Sequence, residues 1–344
     1  LILKKHEQYL DLLKKEQELR HKRNLITQEI NELKKQGKDI KSKVKEASEL
    51  PEKVKELTSK VDELRAEISN YLMRIPNILH DSVPVGKDEN DNKTIRKWGE
   101  IKKFDFKLKD HGSLIESLDL GDFDKAAKVS GRGFYYLFSE LALMEMALQR
   151  FTVDILMKKG FILAQVPLML RRKPYEGVTD LKDFETMMYK IENEDLYLIA
   201  TSEHAIAALY SNQMLNEEDL PRKYVGVSPC FRKEIGSHGV DEKGLFRVHQ
   251  FNKIEQFVFC KPEESWKMHE ELIKNAEEIF QKLKLPYRIV SVCTGDIGIV
   301  AAKKYDLEVY MPREKTYKEA VSCSNCTSYQ ATRLNIKYQK GGEK

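Results

Sequence analysis

The most regular feature of the sequence is a repeat of apolar positions near its start. In the second part of this region the apolar residues are alternately three and four positions apart, which is the heptad spacing of a coiled-coil helix. They are Val54, Leu57, Val61, Leu64, Ile68, Tyr71 and Ile75. The same phase extends back to Ile40 and is broken only by Pro51. Residues 1–36 carry a looser repeat, in which Glu16 and Arg23 occupy positions where an apolar residue is expected.

A turn-like sequence separates the two helical segments. Gly37, Lys38 and Asp39 lie between them, and Pro76 follows the second segment and is expected to end it. Two long helices joined by so short a break are expected to fold back as an antiparallel hairpin. With about 35 residues in each helix and 1.5 Å per residue, the hairpin is about 50 Å long. We therefore predict a helical arm at residues 1–79.

This arm carries the net charge of the chain. The formal net charge is +4, and residues 1–80 account for all of it with 18 Lys or Arg and 14 Asp or Glu. The lysines gather around the turn, with Asp39 as the only acid among them: Lys34, Lys35, Lys38, Lys41, Lys43 and Lys45. Lysines at the tip of a rod suit a phosphate backbone. The alternative is a passive dimerisation coiled coil whose lysines are only solvated.

Beyond the arm the pattern changes to short helices and strands. Residues 80–100 are polar and are expected to form a linker, and residues 101–344 to form a body of mixed α and β structure. Strand-like runs occur without regular βαβ alternation, which indicates an α+β domain with an antiparallel sheet. The other cues are an amphipathic helix at 139–159 and a strand at 161–170 that contains Pro167. An apolar helix followed by an edge strand predicts a homodimer interface at 139–170.

Composition narrows the class of protein. No uncharged run exceeds 13 residues, whereas a membrane-spanning helix needs about 20, so no association with a membrane is expected. The five cysteines are odd in number and scattered, which favours free thiols in a reducing, cytoplasmic setting. The sequence has no secretory signal and no starting Met, so we expect a trimmed N-terminus.

Candidate chemistry lies in two strand-like runs, 231–234 and 246–255. Strand alternation would place Arg232 and Glu234 on one side, and would give Phe251, Lys253 and Glu255 a common face. A guanidinium, carboxylates and an aromatic ring can together hold a nucleotide. The alternative is a hairpin whose paired charges are ordinary surface.

Four blocks of sequence together resemble the class II aminoacyl-tRNA synthetases, and specifically the seryl-tRNA synthetase family. The run from Gly160 to Pro167 is similar to the first class II motif, and the two runs just described are similar to the second. Residues 201–203, Thr-Ser-Glu, are similar to the family's Thr-x-Glu serine loop, and residues 317–326 to its Ser-Cys-Ser-Asn block. The arm resembles the helical arm with which this family binds the long variable arm of its tRNA.

The resemblance implies an antiparallel-sheet catalytic domain that binds serine, ATP, Mg²⁺ and tRNA(Ser), and no DNA. It places Arg232 on the α-phosphate, Glu234 and the Val248 backbone on adenine, and Phe251 against the adenine ring. It assigns Glu319 to catalysis together with Arg232.

The remaining roles also follow from the resemblance. Glu319 and Ser322 are expected to hold Mg²⁺ and ATP. The serine pocket is expected to contain Thr201, Ser202, Glu203 and Glu255, with Glu255 pairing the ammonium of serine. The cluster of charge at the turn of the arm, and not the resemblance, selects the lysines expected to bind tRNA: Lys34, Lys35, Lys38 and Lys41.

One motif of the family is missing. A third class II motif, a Gly-rich strand and helix whose Arg binds the ATP phosphates, normally follows the Ser-Cys-Ser-Asn block. The sequence ends before it, so we expect a C-terminally incomplete chain of an active enzyme. The alternative is a non-catalytic, synthetase-derived protein that binds tRNA or another partner. The enzyme is favoured because a non-catalytic relative does not need the full set of Arg232, Glu234, Glu255, Glu319 and Ser322.

Overall fold

The computed structural model of the protein describes residues 1–180, 186–234 and 245–341. It divides into two compact units, Leu1–Ile75 and Pro76–Lys344. Across the described ranges, none of the helices combines the length and the apolar character that crossing a lipid bilayer requires.

The first unit is the predicted pair of helices, α1 (Ile2–Lys35) and α2 (Lys41–Met73). Ion pairs run between distant positions of the two helices, from Lys5 to Glu67 and, at 2.7 Å, from Lys43 to Glu29. These pairings require the helices to be antiparallel, so the prediction of a helical hairpin is confirmed. The apolar side chains buried between the helices are Ile26, Leu50, Val54, Val61 and Ile68.

The heptad repeat of α2 continues through its proline. Pro51 lies inside the helix and is exposed, whereas the preceding Leu50 is buried and Val44 is exposed. Proline has no N–H to bond to the carbonyl of Ala47, and an exposed position lets water satisfy that carbonyl. The buried positions Leu50 and Val54 are four residues apart, so the heptad spacing is kept past Pro51, and the predicted break at Pro51 and seam position at Val44 were wrong.

The described elements of the second unit are as follows. Its α-helices are α3 (His111–Ser117), α4 (Phe123–Ser130), α5 (Ser139–Lys158), α6 (Arg172–Glu176), α7 (Ser202–Ala208), α8 (Ser265–Lys282) and α9 (Tyr329–Arg333). Its strands are β1 (Lys93–Trp98), β2 (Gly121–Asp122), β3 (Tyr136–Leu137), β4 (Ile162–Ala164), β5 (Met169–Leu170), β6 (Tyr197–Leu198), β7 (Met214–Asn216), β8 (Arg222–Phe231), β9 (Gln250–Phe259), β10 (Tyr287–Ser291), β11 (Lys303–Met311), β12 (Thr316–Asn325) and β13 (Lys337–Gln339).

Two sheets form the centre of this unit. An antiparallel sheet has the order β1-β10-β11-β12 and packs one face on α8, with Ile273, Tyr287, Ile289 and Leu307 in the shared core. A second sheet has the order β4-β8-β9, in which β8 and β9 form a ten-residue antiparallel pair and β4 runs parallel to β8. The architecture is the predicted α+β class, and its long strand pairs are antiparallel.

The segment predicted to be a linker, 80–100, is part of the folded unit. Its strand β1 pairs with β10 at the edge of the four-stranded sheet, and Val83 is buried against Val290 and Val292. Arg96 of β1 pairs with Glu277 of α8 at 2.6 Å. The linker prediction was wrong because a polar edge strand and a solvated linker have similar compositions.

The predicted helix at 139–159 is present as α5, but its apolar face is only partly covered. Val153 and Leu156 are buried, whereas Leu143 and Met146 are 65% and 66% exposed. The following strand prediction, 161–170, resolves into β4 and β5, with Pro167 between them. Side chains of β4 are also exposed, so this apolar surface continues beyond the helix.

Candidate functional site

The two faces of β9 have different tasks. Phe251, Lys253 and Glu255 occupy every second position and share one face, as strand geometry predicts. On the other face, Asn252 donates a hydrogen bond to a glutamate of α5, and Gln256 donates one to a carbonyl of α8. The helices thereby hold the strand from behind and leave the chemical groups on the opposite side.

The N-terminus of α7 meets this chemical face. Thr201 caps the helix, accepting a hydrogen bond from the N–H of Glu203 at 3.2 Å, and donates to Glu255 at 3.0 Å. The ammonium of Lys253 lies 2.7 Å from the same Glu255 oxygen and 3.3 Å from the Thr201 hydroxyl. Three residues predicted for the serine pocket are thus in contact, because Thr201 is hydrogen-bonded to both Glu203 and Glu255.

A second carboxylate stands beside this cluster. The amide of Gln330, from α9, donates to Glu203 at 2.8 Å. Burial raises the pKa of Glu203, and the charge of Glu255 raises it further, against the opposite influence of Lys253, the Gln330 hydrogen bond and Arg232. The site therefore brings two carboxylates close together and compensates them with a half-buried lysine.

The position of Arg232 is set by its stacking on the ring of Phe251 and not by the alternation of side chains along a strand. Strand β8 ends at Phe231, and the guanidinium of Arg232 lies 5.2 Å from the centroid of the Phe251 ring. Glu234 has a positive φ of 37° and pairs with Arg247 at 3.1 Å. The premise that Arg232 and Glu234 share one side of a strand was wrong, because these residues lie beyond its end.

A bulge in β12 brings together the two predicted metal-binding residues, Glu319 and Ser322. Val321 pairs with Leu307 and Glu319 with Glu308, so Ala320 is an extra residue without a partner in the register. Residues three apart normally point to opposite faces of a strand, and one bulged residue restores a common face. Glu319 and Ser322 therefore share a face, although their odd spacing argues against it.

The residue opposite Ser322 is a buried acid. Asp306 is 4% exposed, and its Oδ1 atom has no hydrogen-bond partner within the described ranges. Burial raises the pKa of this carboxyl to about 7, and the charge of Glu319 also raises it. Sequence reasoning missed Asp306, because its proximity to Ser322 depends on the pairing of two strands.

Ser202 does not reach the cluster. Its side chain is fully buried, and a Cβ atom at Gly226 of β8 would lie 2.5 Å from its hydroxyl oxygen. Ser202 thus packs α7 onto the sheet, and its place in the serine pocket stays a prediction. Besides Asp306, sequence reasoning missed Lys253 and Gln330. The only sequence signal for Lys253 was that strand alternation places it on the same face as Glu255, and the sequence carried no signal for Gln330.

In the first unit, the four lysines predicted to bind RNA are exposed. None of the ion pairs described in residues 1–75 involves them: Lys34, Lys35, Lys38 and Lys41. Lys43 differs, because it pairs with Glu29 and Glu46 along the hairpin. The lysines at the turn therefore keep their charges available to a ligand.

Two family models match this chain, and together they give the class of protein. Residues 184–344 match the family model of the class II tRNA synthetase core domain for glycine, histidine, proline, serine and threonine. Residues 1–79 match the model of the seryl-tRNA synthetase N-terminal domain.

Individual relatives narrow the class to one family. A serine–tRNA ligase from Methanocella arvoryzae is 58% identical over 336 residues, which cover 98% of this chain and 79% of the relative. The chain belongs to the serine–tRNA ligase family.

Solved structures agree with this assignment. The crystal structure of a seryl-tRNA synthetase from Pyrococcus horikoshii complexed with ATP superposes with a TM-score of 0.87 at 49% identity, covering 98% of this chain and 80% of that one. A cytoplasmic serine–tRNA ligase from Naegleria fowleri in complex with AMP gives a TM-score of 0.82 at 32% identity, with 98% and 81% covered.

Proposed function

We propose that this protein activates L-serine with ATP to form seryl-adenylate and then transfers the seryl group to the 3′ end of tRNA(Ser). The observation that carries the proposal is the cluster of Thr201, Lys253 and Glu255 beside Glu203 and Arg232. Half-buried carboxylates next to a stacked guanidinium suit a substrate with an ammonium at one end and a reacting carboxylate at the other. Family membership identifies that substrate as serine.

In the first step the serine carboxylate attacks the α-phosphate of ATP and pyrophosphate leaves. The carboxylate is already ionised at neutral pH, so the step needs no general base. Catalysis is then positioning together with stabilisation of the charge on the transferring phosphoryl group. Arg232 is the cation assigned to the α-phosphate, and the ring beneath it, Phe251, limits its movement.

Adenine recognition is assigned to the same edge of the β8–β9 pair. The Phe251 ring is the stacking surface, and Glu234 and the backbone of the buried Val248 supply hydrogen bonds to the base. The contact of Glu234 with Arg247 orients its carboxylate.

The oxygen donors on β12 and its neighbour fit Mg²⁺. Glu319, Ser322 and the unpartnered Oδ1 of Asp306 form a hard-oxygen set of the kind this ion prefers, and it binds through few protein groups. When bound there, Mg²⁺ would neutralise charge on the ATP phosphates. The protein's part is to hold Glu319 and Ser322 on one face through the bulge at Ala320.

Transfer to tRNA involves the first unit. The exposed lysines at the α1–α2 turn offer charges for an RNA phosphate backbone, as the sequence predicts. We assign the arm to the body of tRNA(Ser) and the second unit to its 3′ end.

The uncovered apolar surface of α5 and β4 is assigned to a second copy of the chain. Leu143, Met146 and Ile162 are each more than half exposed, which is typical of a surface that becomes buried on association. We propose a symmetric homodimer and a cytoplasmic location. The free state of all five cysteines supports a reducing compartment.

The test is serine-dependent exchange of pyrophosphate into ATP, followed by charging of tRNA(Ser). Exchange should require serine and should be weak with alanine, because a polar site built for a hydroxyl is left unpaired without it. Threonine and cysteine serve as further competitors. Binding of tRNA without any amino-acid-dependent exchange would contradict the proposal and favour a non-catalytic tRNA-binding protein.

A further inference from the structure

We propose that Lys253 is a positioning residue that keeps the Glu203–Glu255 pair charged and directs one oxygen of Glu255 to the ammonium of the amino-acid substrate. The inference rests on the proposed function and adds a residue and a charge balance to its serine pocket. Lys253 touches neither the phosphate site nor the adenine-binding edge in this proposal.

The hydrogen bonds around Glu255 are one-sided. Lys253 and Thr201 both approach the Oε2 atom of Glu255, at 2.7 and 3.0 Å. No hydrogen bond described in residues 1–180, 186–234 or 245–341 uses its Oε1 atom. Two donors on one oxygen fix the rotamer of the carboxylate, and the second oxygen can then accept from a substrate ammonium.

The charge balance explains why a cation is needed there. Two close carboxylates in a buried site share a proton unless a cation compensates them, and a protonated carboxyl is a poor partner for an ammonium. Burial acts to lower the pKa of Lys253, but Glu255 and Glu203 outweigh it and the pKa lies above its usual value. Lys253 is therefore a permanent cation at neutral pH, and the substrate supplies the second.

The other titratable groups around the pair do not change charge near neutral pH. Burial lowers the pKa of His204 to about 3, so it is neutral. Burial raises the pKa of the neighbouring thiols and phenol, which also stay neutral: Cys230, Cys323, Cys326 and Tyr175. The guanidinium of Arg232 is the other cation beside the pair. A pH dependence that appears between pH 6 and 8.5 in a variant then reports on the carboxylate pair.

The test compares Lys253→Met with the wild type by measuring the Kd of L-serine calorimetrically from pH 6 to 8.5. The variant should bind serine about 30-fold or more weakly at pH 6. The deficit should shrink to less than about tenfold at pH 8.5, because the pair loses its proton as pH rises. The Kd of ATP should change less than about twofold, and the exchange rate at saturating serine less than about threefold. Lys253→Arg keeps the cation and should retain the flat pH profile of the wild type.

A matched control is Lys223→Met on the neighbouring strand. Lys223 is also half-buried and ion-paired, with Glu271 at 2.6 Å, but lies outside the site. It should leave serine binding and its pH profile unchanged. If Lys253→Met fails to fold, Lys253→Gln, which keeps a polar side chain of similar length, takes its place.

Several outcomes would overturn the inference. A loss of serine affinity that is the same at every pH would make Lys253 a structural residue, and so would failure of both variants to fold while the Lys223 control folds. Unchanged affinity in a folded variant would remove Lys253 from the pocket and leave the proposed function standing. A wild-type chain that binds no serine would overturn the proposed function itself.

Discussion

The Thr58 hydroxyl of α2 donates a 2.6 Å hydrogen bond to the Glu16 carboxylate of α1, in the middle of the helical hairpin. Glu16 is 6% exposed and also accepts from Arg20, at 2.7 Å. A glutamate at a heptad position is unfavourable by the sequence pattern alone, but in the structure Glu16 has one partner on each helix, Arg20 on α1 and Thr58 on α2. A single polar position of this kind can fix the register of two helices.

We predict that Thr58→Val destabilises the arm by about 1–3 kcal/mol, because it leaves Glu16 buried without a partner on α2. Replacing Glu16 by Leu as well should recover most of that loss, since the pair is then apolar. Hydrogen exchange of the α1 and α2 amides measures the arm by itself. Equal protection in Thr58→Val and the wild type would show that the hydrogen bond contributes nothing.

The same hydrogen bond sets a pH dependence. The hydrogen bonds from Thr58 and from Arg20 lower the pKa of Glu16 below its ordinary value of 4.5. A carboxyl with a lowered pKa in the folded state stabilises the fold above its unfolded value, and this stabilisation is lost as pH falls through the folded value. Protection of the arm should therefore decrease below about pH 4.5 in the wild type and less so in Glu16→Gln.

Glu255→Ala should abolish serine activation, whereas Glu255→Asp should retain some. Removing one partner of a buried ion pair costs about 3–5 kcal/mol, which is a loss of at least about 100-fold in serine-dependent pyrophosphate exchange. Glu271→Ala, a loss of an ion-paired glutamate outside the site, is the control and should stay near wild type. A Glu255→Ala enzyme within tenfold of wild type would remove Glu255 from the pocket.

Gly226→Ala should weaken serine binding although residue 226 itself lies outside the proposed serine pocket. The added Cβ would lie 2.5 Å from the Ser202 hydroxyl and 2.9 Å from Ile206, so α7 must move away from the sheet. We expect a loss of about 1–3 kcal/mol in stability and a higher KM for serine, because Thr201 and Glu203 move with the helix. Combining it with Ser202→Gly should restore part of both. Thermal unfolding and exchange kinetics on the two single variants and the double variant provide the test.

Replacing Lys34, Lys35, Lys38 and Lys41 together by Ala should weaken tRNA(Ser) binding and flatten its salt dependence. Each phosphate that the arm no longer neutralises lowers the log–log slope by about 0.7–0.9. Serine activation should stay intact. A control that removes four lysines far from the turn, Lys4, Lys14, Lys55 and Lys60, should alter the slope less. An unchanged slope in the first variant, measured by filter binding, would support the passive coiled coil instead.

Met146→Glu should convert the proposed homodimer into monomers. A charge in the exposed apolar surface of α5 loses its solvation when a second copy covers it. Val129→Glu introduces the same charge at a residue that is 70% exposed but lies on another helix, and should leave the dimer unchanged. Sedimentation velocity at micromolar concentration distinguishes the two species. A wild type that sediments only as a monomer would refute the homodimer.

The features that were predictable from sequence are those encoded by local periodicity. The heptad spacing located both arm helices, and strand alternation correctly grouped Phe251 with Glu255. Features that depend on distant pairing were not predictable. The partnership of Gln330 with Glu203 spans 127 positions, and the common face of Glu319 and Ser322 depends on a bulge opposite another strand.

The alternation along β9 has an evolutionary consequence. Its odd-numbered residues, Phe251, Lys253 and Glu255, carry the chemistry, while its even-numbered residues hold α5 and α8. Because side chains alternate with a period of two, deleting or inserting one residue in this strand, unless a bulge absorbs it, turns the substrate-facing groups on one side of the change to the packing face. Substitutions can adjust the pocket one side chain at a time, but length changes cannot. Across the descendants of this sequence, β9 should therefore vary in composition and remain fixed in length.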